Sequence, residues 1–175
     1  MKKLMTTLVA FIVCLTVSAQ VYVGGEMGFW RNFNDNHTSF TLKPEIGYKL
    51  SDKWALGLEV GYGHDYERGL KVNGFTVSPY ARFNYVKFGP VSLFLDGGFG
   101  LNTYKIKDAD DSSIGWQIGI QPGVKVSLTE RLDFIAHMGF LGYRDADDAG
   151  CQFGEDGFGF DFSGQNLTFG LNYNF

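Results

Sequence analysis

The chain has 175 residues, a formal net charge of −4, 17% aromatic residues, 24 glycines and 4 prolines. An acidic balance without a basic patch excludes a nucleic-acid-binding surface. No apolar run after the first twenty residues approaches the roughly eighteen needed for a spanning helix, and no segment carries a 3.6-residue period, so the chain reads as strand and turn.

The N-terminus has the form of an export signal: Lys2 and Lys3, an apolar run from Leu4 to Val17, and small residues at Val17-Ser18-Ala19. Residues 1–19 are therefore expected to be a cleaved signal peptide, and residues 20–175 one domain. Phe11-Ile-Val-Cys14 lacks the small residues that precede an acylated cysteine, which argues against a lipoprotein. Cleavage removes Cys14 and leaves Cys151 alone, so no intrachain disulfide is expected.

Eight strands follow in order: Val21 to Phe33, Ser39 to Leu50, Trp54 to Tyr66, Gly74 to Lys87, Val91 to Tyr104, Ile114 to Leu128, Leu132 to Arg144 and Gly164 to Phe175. Four of them carry one motif, Pro44-Glu-Ile-Gly-Tyr-Lys-Leu50, Pro79-Tyr-Ala-Arg-Phe-Asn-Tyr85, Pro122-Gly-Val-Lys-Val-Ser-Leu128 and Phe169-Gly-Leu-Asn-Tyr-Asn-Phe175, which marks a repeated hairpin. Ser51-Asp-Lys53, Phe88-Gly-Pro90 and Thr129-Glu-Arg131 are tight turns. Asn34 to Thr38, Glu67 to Asn73, Lys105 to Ser113 and Asp145 to Ser163 are longer and more polar. Alternating short and long connections predict an up-and-down barrel with its turns on one rim and its loops on the other.

Each strand alternates two kinds of residue. One face carries Met27, Leu42, Ile46, Tyr48, Leu58, Tyr62, Leu95, Ile118, Ile120, Phe134, Met138, Phe140 and Leu171, among others; the second carries charges, amides and glycine. An eight-stranded barrel has room inside only for modest side chains, so the bulky face must point outward, and the solvent outside must be lipid. Aromatic girdles are expected from Tyr48, Trp54, Tyr85, Tyr173 and Phe175 at the short-turn rim, and from Phe29, Phe40, Tyr62, Phe75 and Phe140 toward the other. Pro44, Pro79 and Pro122 each forfeit a ladder donor, which predicts bulges or missing bonds there.

These features resemble the small OmpA/OmpX-type outer-membrane β-barrels of the porin-like outer membrane protein β-barrel domain family. The resemblance covers the whole mature chain. It implies an all-β, eight-stranded antiparallel up-and-down transmembrane barrel in a Gram-negative outer membrane, with outer-membrane lipids around it. It also implies that the barrel-assembly machinery reads the terminal strand through Phe169, Leu171, Tyr173 and Phe175. Task is not implied, since small barrels serve as anchors, adhesins, enzymes and stress proteins.

The inward set contains Glu26, Glu45, Glu59, Asp96 and Asp133 against Lys43, Lys49, Arg82 and Lys125, with His137 between them. Ions in so narrow a space must be paired, which predicts a structural network that plugs the lumen. A gated ion path is the sharper alternative. A lipid A-modifying enzyme would need a nucleophile, a base and an orienting acid facing the membrane. His137 faces the lumen with Gly139 two residues on, while His37 and His64 lie near Ser39 and Asp65, so no catalytic residue is expected.

Asp108-Ala-Asp-Asp111 and Asp145-Ala-Asp-Asp148 repeat an acidic tetrad, but Ala149 stands where a calcium loop needs an oxygen ligand, and solvated acids are the better reading. Phe153, Phe158, Phe160 and Phe162 interleave with glycine and could form an exposed contact surface. The expectation is a monomeric, non-enzymatic barrel without cofactor or metal. Its long extracellular loops would carry a structural or surface-interaction role toward a ligand or a host or neighbour protein. The alternatives are a narrow channel, the lipid A-modifying enzyme and a soluble ligand-binding barrel.

Overall fold

A computed structural model describes residues 20–33, 36–67, 70–106, 112–145, 156–162 and 167–175. The expected signal segment (residues 1–19), with Cys14, lies outside the described residues, as do Cys151, Phe153, the first acidic tetrad and positions 146–148 of the second. The alternating pattern gives ten strand segments and, among the described residues, no helix. They are β1 (Val21–Asn32), β2 (His37–Lys49), β3 (Trp54–Glu67), β4 (Leu70–Phe88), β5 (Val91–Ile106), β6 (Ser112–Ser127), β7 (Leu132–His137), β8 (Phe140–Asp145), β9 (Gly157–Asp161) and β10 (Thr168–Asn174).

β7 and β8 are two parts of one barrel strand, and β9 and β10 of the next, so the sheet is an eight-stranded antiparallel barrel. It closes where β1 pairs with β10, from Tyr22 opposite Asn174 to Met27 opposite Phe169. Closure leaves no edge at that height, and in lipid every backbone donor must be satisfied this way. Met27, Leu42, Tyr62, Leu101, Ile118 and Leu171 are exposed on the outside, while Glu26, Glu45, Arg82, Asp96, Asp133 and His137 are buried within.

The three prolines interrupt the ladder, each on one side only. Pro44 keeps its rung with Gly25 of β1, but the pairing with β3 skips from Leu42 to Glu45. Pro79 pairs with Leu58 of β3, and the pairing with β5 skips from Val77 to Tyr80. One missing N–H accounts for this one-sidedness, because a residue's N–H and C=O both address the same neighbouring strand.

Pro122 has a larger effect. Gly123 pairs with His137 and Ile120 with Leu141, so three steps along β6 match four along β7 and β8. The extra residue is a bulge at Met138-Gly139, with Gly139 at φ +76° and the Met138 N–H donating to the Pro122 carbonyl at 2.9 Å. A one-residue slip exchanges the faces beyond it. Met138 is 43% exposed and Leu141 41%, but Phe140 only 7%. Phe140 is therefore a lumen residue and not part of the outer girdle, which corrects its expected placement. A second register shift, between Asn84 and Val86, was not foreseen.

All four expected loops are partly strand, two of them over several residues. The segment Glu67 to Asn73 reads as polar and turn-like, yet β3 and β4 continue through it to the rung Glu67 with Leu70. Cross-strand bonds hold it: Tyr62 donates to the Asn73 Oδ1 at 3.0 Å, and His64 Nδ1 lies 2.7 Å from the same oxygen. β4 has 19 residues; about 9–11 suffice to cross the hydrocarbon, so this hairpin projects beyond it. Within Asp145 to Ser163, β9 pairs with β8 and sets Phe158 and Phe160 outward beside Tyr143 and Leu141.

Leu95→Arg would place a charge on the lipid face of β5. Its stability in urea should fall by about 2–4 kcal/mol if the site lies near the midplane. Denaturation like the parent's would mean that the faces are reversed.

Candidate functional site

The inward residues of six strands meet at one level of the lumen. Arg82 of β4 grips Asp96 of β5 with two donors, Nε to Oδ1 at 2.8 Å and Nη2 to Oδ2 at 2.7 Å. Its Nη2 also reaches Glu45 of β2 at 3.4 Å. His137 of β7 sits between two carboxylates, with Nε2 2.9 Å from Asp96 Oδ2 and Nδ1 2.5 Å from Glu26 Oε1. Each ring nitrogen is placed to donate, the arrangement of an imidazolium. Thr168 of β10 donates its hydroxyl to Glu26, and Asn172 donates to Glu45 at 2.6 Å.

A bidentate guanidinium–carboxylate pair is the strongest of these contacts, and its planarity fixes the orientation of both partners. The Arg82 guanidinium also lies over the Phe94 ring, 4.3 Å from its centroid, and His137 meets the same ring edge-on at 5.0 Å. Phe94 thus covers one side of the charges with apolar surface.

Two tyrosines extend the web. Tyr22 and Tyr80 join hydroxyl to hydroxyl at 2.8 Å, and Tyr80 donates to Glu45. Each ring covers a glycine on the opposing strand, Tyr22 over Gly47 and Tyr80 over Gly57. A Cβ at these glycines would lie 2.1 Å and 2.3 Å from ring carbons. Hence the inward glycines are recesses that let aromatic rings lie flat across the lumen.

The ten expected ion-pair residues separate into three groups. Glu26, Glu45, Arg82, Asp96 and His137 form one continuous septum. Lys43 and Glu59 pair beside it at 3.3 Å. Lys49, Lys125 and Asp133 line a cavity of about 680 Å³ that opens at the short-turn rim, floored by Arg82, Tyr22 and Asn172. Asp133 accepts from Asn174 at 2.9 Å, whereas Lys49 and Lys125 make no ion pair among the described residues. On the other side of Asp96 the space narrows to a void of about 30 Å³ beside Gln117, Gln121 and Phe140.

Sequence reasoning missed Tyr22, Tyr80, Phe94 and Thr168. The signal was present for all four, since each shares the parity of a neighbouring inward residue: Tyr22 with Glu26, Tyr80 with Arg82, Phe94 with Asp96 and Thr168 with Asn172. His37 contacts Asp65 at 2.9 Å, with Asp65 buried on the lumen side. Phe169, Leu171, Tyr173 and Phe175 all lie exposed along the outer face of the terminal strand.

Arg82→Ala would leave two buried carboxylates without their guanidinium. Unfolding in urea should show a loss of about 3–5 kcal/mol, and Arg82→Lys should restore only part of it because one ammonium cannot replace the two-pronged grip. A parent-like Arg82→Ala would show that the septum contributes little to stability.

The fold is similar to that of three solved barrels. Neisserial surface protein A is 16% identical, with a TM-score of 0.59 over 90% of this chain and 98% of that one. The N-terminal β-barrel domain of Pseudomonas aeruginosa OprF is 18% identical, with a TM-score of 0.57 over 90% and 98%. A major outer membrane protein from Thermus thermophilus is 13% identical, with a TM-score of 0.55 over 89% and 98%. A search of curated proteins by sequence finds no significant match. The outer membrane protein beta-barrel domain model matches residues 7–175, and the chain belongs to that family.

Proposed function

We propose that this outer-membrane barrel is a closed, non-enzymatic scaffold whose surface-facing connections mediate contact while its body stabilises the membrane. The observation that carries this reading is the septum: Glu26, His137, Asp96, Arg82 and Glu45 are joined across the lumen, each 6% exposed or less. A conducting path would have to separate buried, mutually paired charges, and breaking one such pair costs about 3–5 kcal/mol.

Two observations weigh against chemistry. His137 spends both ring nitrogens on carboxylates, so neither is free to act as a base. The His37 and Asp65 pair lies toward the lumen, whereas an enzyme acting on lipid needs its groups on the membrane face.

The contact surface would be the rim of long connections. There the β3–β4 hairpin projects, and Phe158, Phe160 and Phe162 stand 79%, 75% and 61% exposed. Rings at such exposure fit either the interfacial girdle or a partner such as a host or neighbour protein. Assembly would use Phe169, Leu171, Tyr173 and Phe175 as the terminal signal, and the barrel would work as a monomer.

In planar bilayers the purified protein should give no unitary current steps, while Arg82→Ala should give some. Frequent openings of the parent would replace this reading with a channel. A membrane-impermeant maleimide applied to intact cells should label Cys151, which the sequence places in the connection between β8 and β9; labelling only after lysis would invert the topology.

A further inference from the structure

The cavity at the short-turn rim collects cations that the septum does not use. Ser92 of β5, 5% exposed, pairs with Lys87 of β4 on one side and Lys125 of β6 on the other. A hydroxyl thus sits between two ammonium-bearing side chains on one continuous rung. Lys87 shares that face only because of the register shift between Asn84 and Val86. Without the bulge, alternation from Arg82 through Asn84 would turn position 87 toward lipid. Lys49 adds a third ammonium from β2.

None of these three lysines forms an ion pair among the described residues. The charged neighbours of Lys125 are Asp133, Lys49, Arg82 and Lys87. Of these, Arg82 is committed to Asp96 and Glu45, while the Asp133 carboxylate, which accepts from the neutral Asn174 amide, offsets part of the lysines' repulsion; Asp52 and Glu130 also line the cavity, as does Lys53. Like charges gathered in a partly enclosed space repel, and an anion seated among them removes that repulsion. Lysines on flexible stems suit a compact oxyanion that can be approached from several directions. The cavity, at about 680 Å³, has the size of a small-molecule site.

We propose that this vestibule binds a small multivalent oxyanion of the phosphate class, held by Lys49, Lys87 and Lys125, with the Ser92 hydroxyl donating at its centre. The site lies on the lumen side of the wall and opens at the rim of short turns, which in outer-membrane barrels is the periplasmic rim. Its ligand therefore enters from the periplasm and stops at the septum.

The test uses the full mature barrel in nanodiscs of zwitterionic lipid, titrated with inorganic pyrophosphate at constant ionic strength. Calorimetry and amide shifts on β5 and β6 report binding. The expected result is a saturable response centred on Ser92 and Lys125, weakened about tenfold or more in Lys49→Gln/Lys125→Gln and unchanged in Lys105→Gln at the opposite rim. A non-saturable response, one that chloride reproduces, or one that the double variant retains would overturn the proposal. If the double variant does not assemble, Lys87→Gln decides, because this residue is exposed at the mouth: weaker binding supports the site and parent-like binding overturns it. In nanodiscs containing phosphatidylglycerol, undiminished pyrophosphate binding identifies a soluble ligand, and competitive loss identifies a lipid headgroup phosphate; both outcomes support the site.

Discussion

Asp96 receives two donors from Arg82 and faces His137 on its other side. Through these contacts a single carboxylate links β4, β5 and β7. His137 passes the connection to Glu26 on β1, and Arg82 passes it to Glu45 on β2. Charges this deep are tolerable only when fully paired, so the position of each strand around the barrel is constrained by its neighbours' charges as well as by backbone bonds. Glu26 and Asn172 belong to the two strands that close the sheet, and both take part in the septum, so closure and plugging depend on the same side chains. The contrast with the outer face is sharp: there apolar residues meet lipid and need no specific partner.

Two bulges decide which side chains enter the lumen. The one opposite Pro122 turns Phe140 and Arg144 inward, where the Arg144 guanidinium lies 4.7 Å from the Phe140 ring centroid and its Nε donates to Gln117 at 3.3 Å. The other adds Lys87 to the basic vestibule. Both sit in barrel strands otherwise governed by strict alternation, so a one-residue insertion acts as a local switch of solvent for everything beyond it. The result is a barrel divided along its axis into a basic cup, a paired and buried septum, and an aromatic rim.

Much of this was legible from residue order. Alternation assigned Glu26, Glu45, Arg82, Asp96 and His137 to the lumen, and the size limit of eight strands turned Leu42, Ile118 and Leu171 to lipid. The pairing partners were not legible, because they depend on the stagger between strands distant in sequence, such as Glu26 with His137. Parity failed where an insertion interrupted it, at Phe140. The polar stretch Glu67 to Asn73 reads as a loop because its residues are charged, polar or turn-prone, Asn73 among them; in the barrel the Asn73 amide oxygen meets Tyr62 and His64 across the hairpin and the strands stay extended. Lys49 and Lys125, expected to pair because ions in a narrow lumen must, line a cavity together with Asp133 and make no ion pair among the described residues.

The septum joins across the lumen through His137. The most direct test of this link is a solid-state NMR distance measurement in lipid bilayers between the His137 ring nitrogens and the carboxyl carbons of Glu26 and Asp96. Both nitrogens should lie within hydrogen-bonding reach of a carboxylate at the same time, one on each side. A ring that contacts only one carboxylate, or that exchanges freely with water, would contradict it.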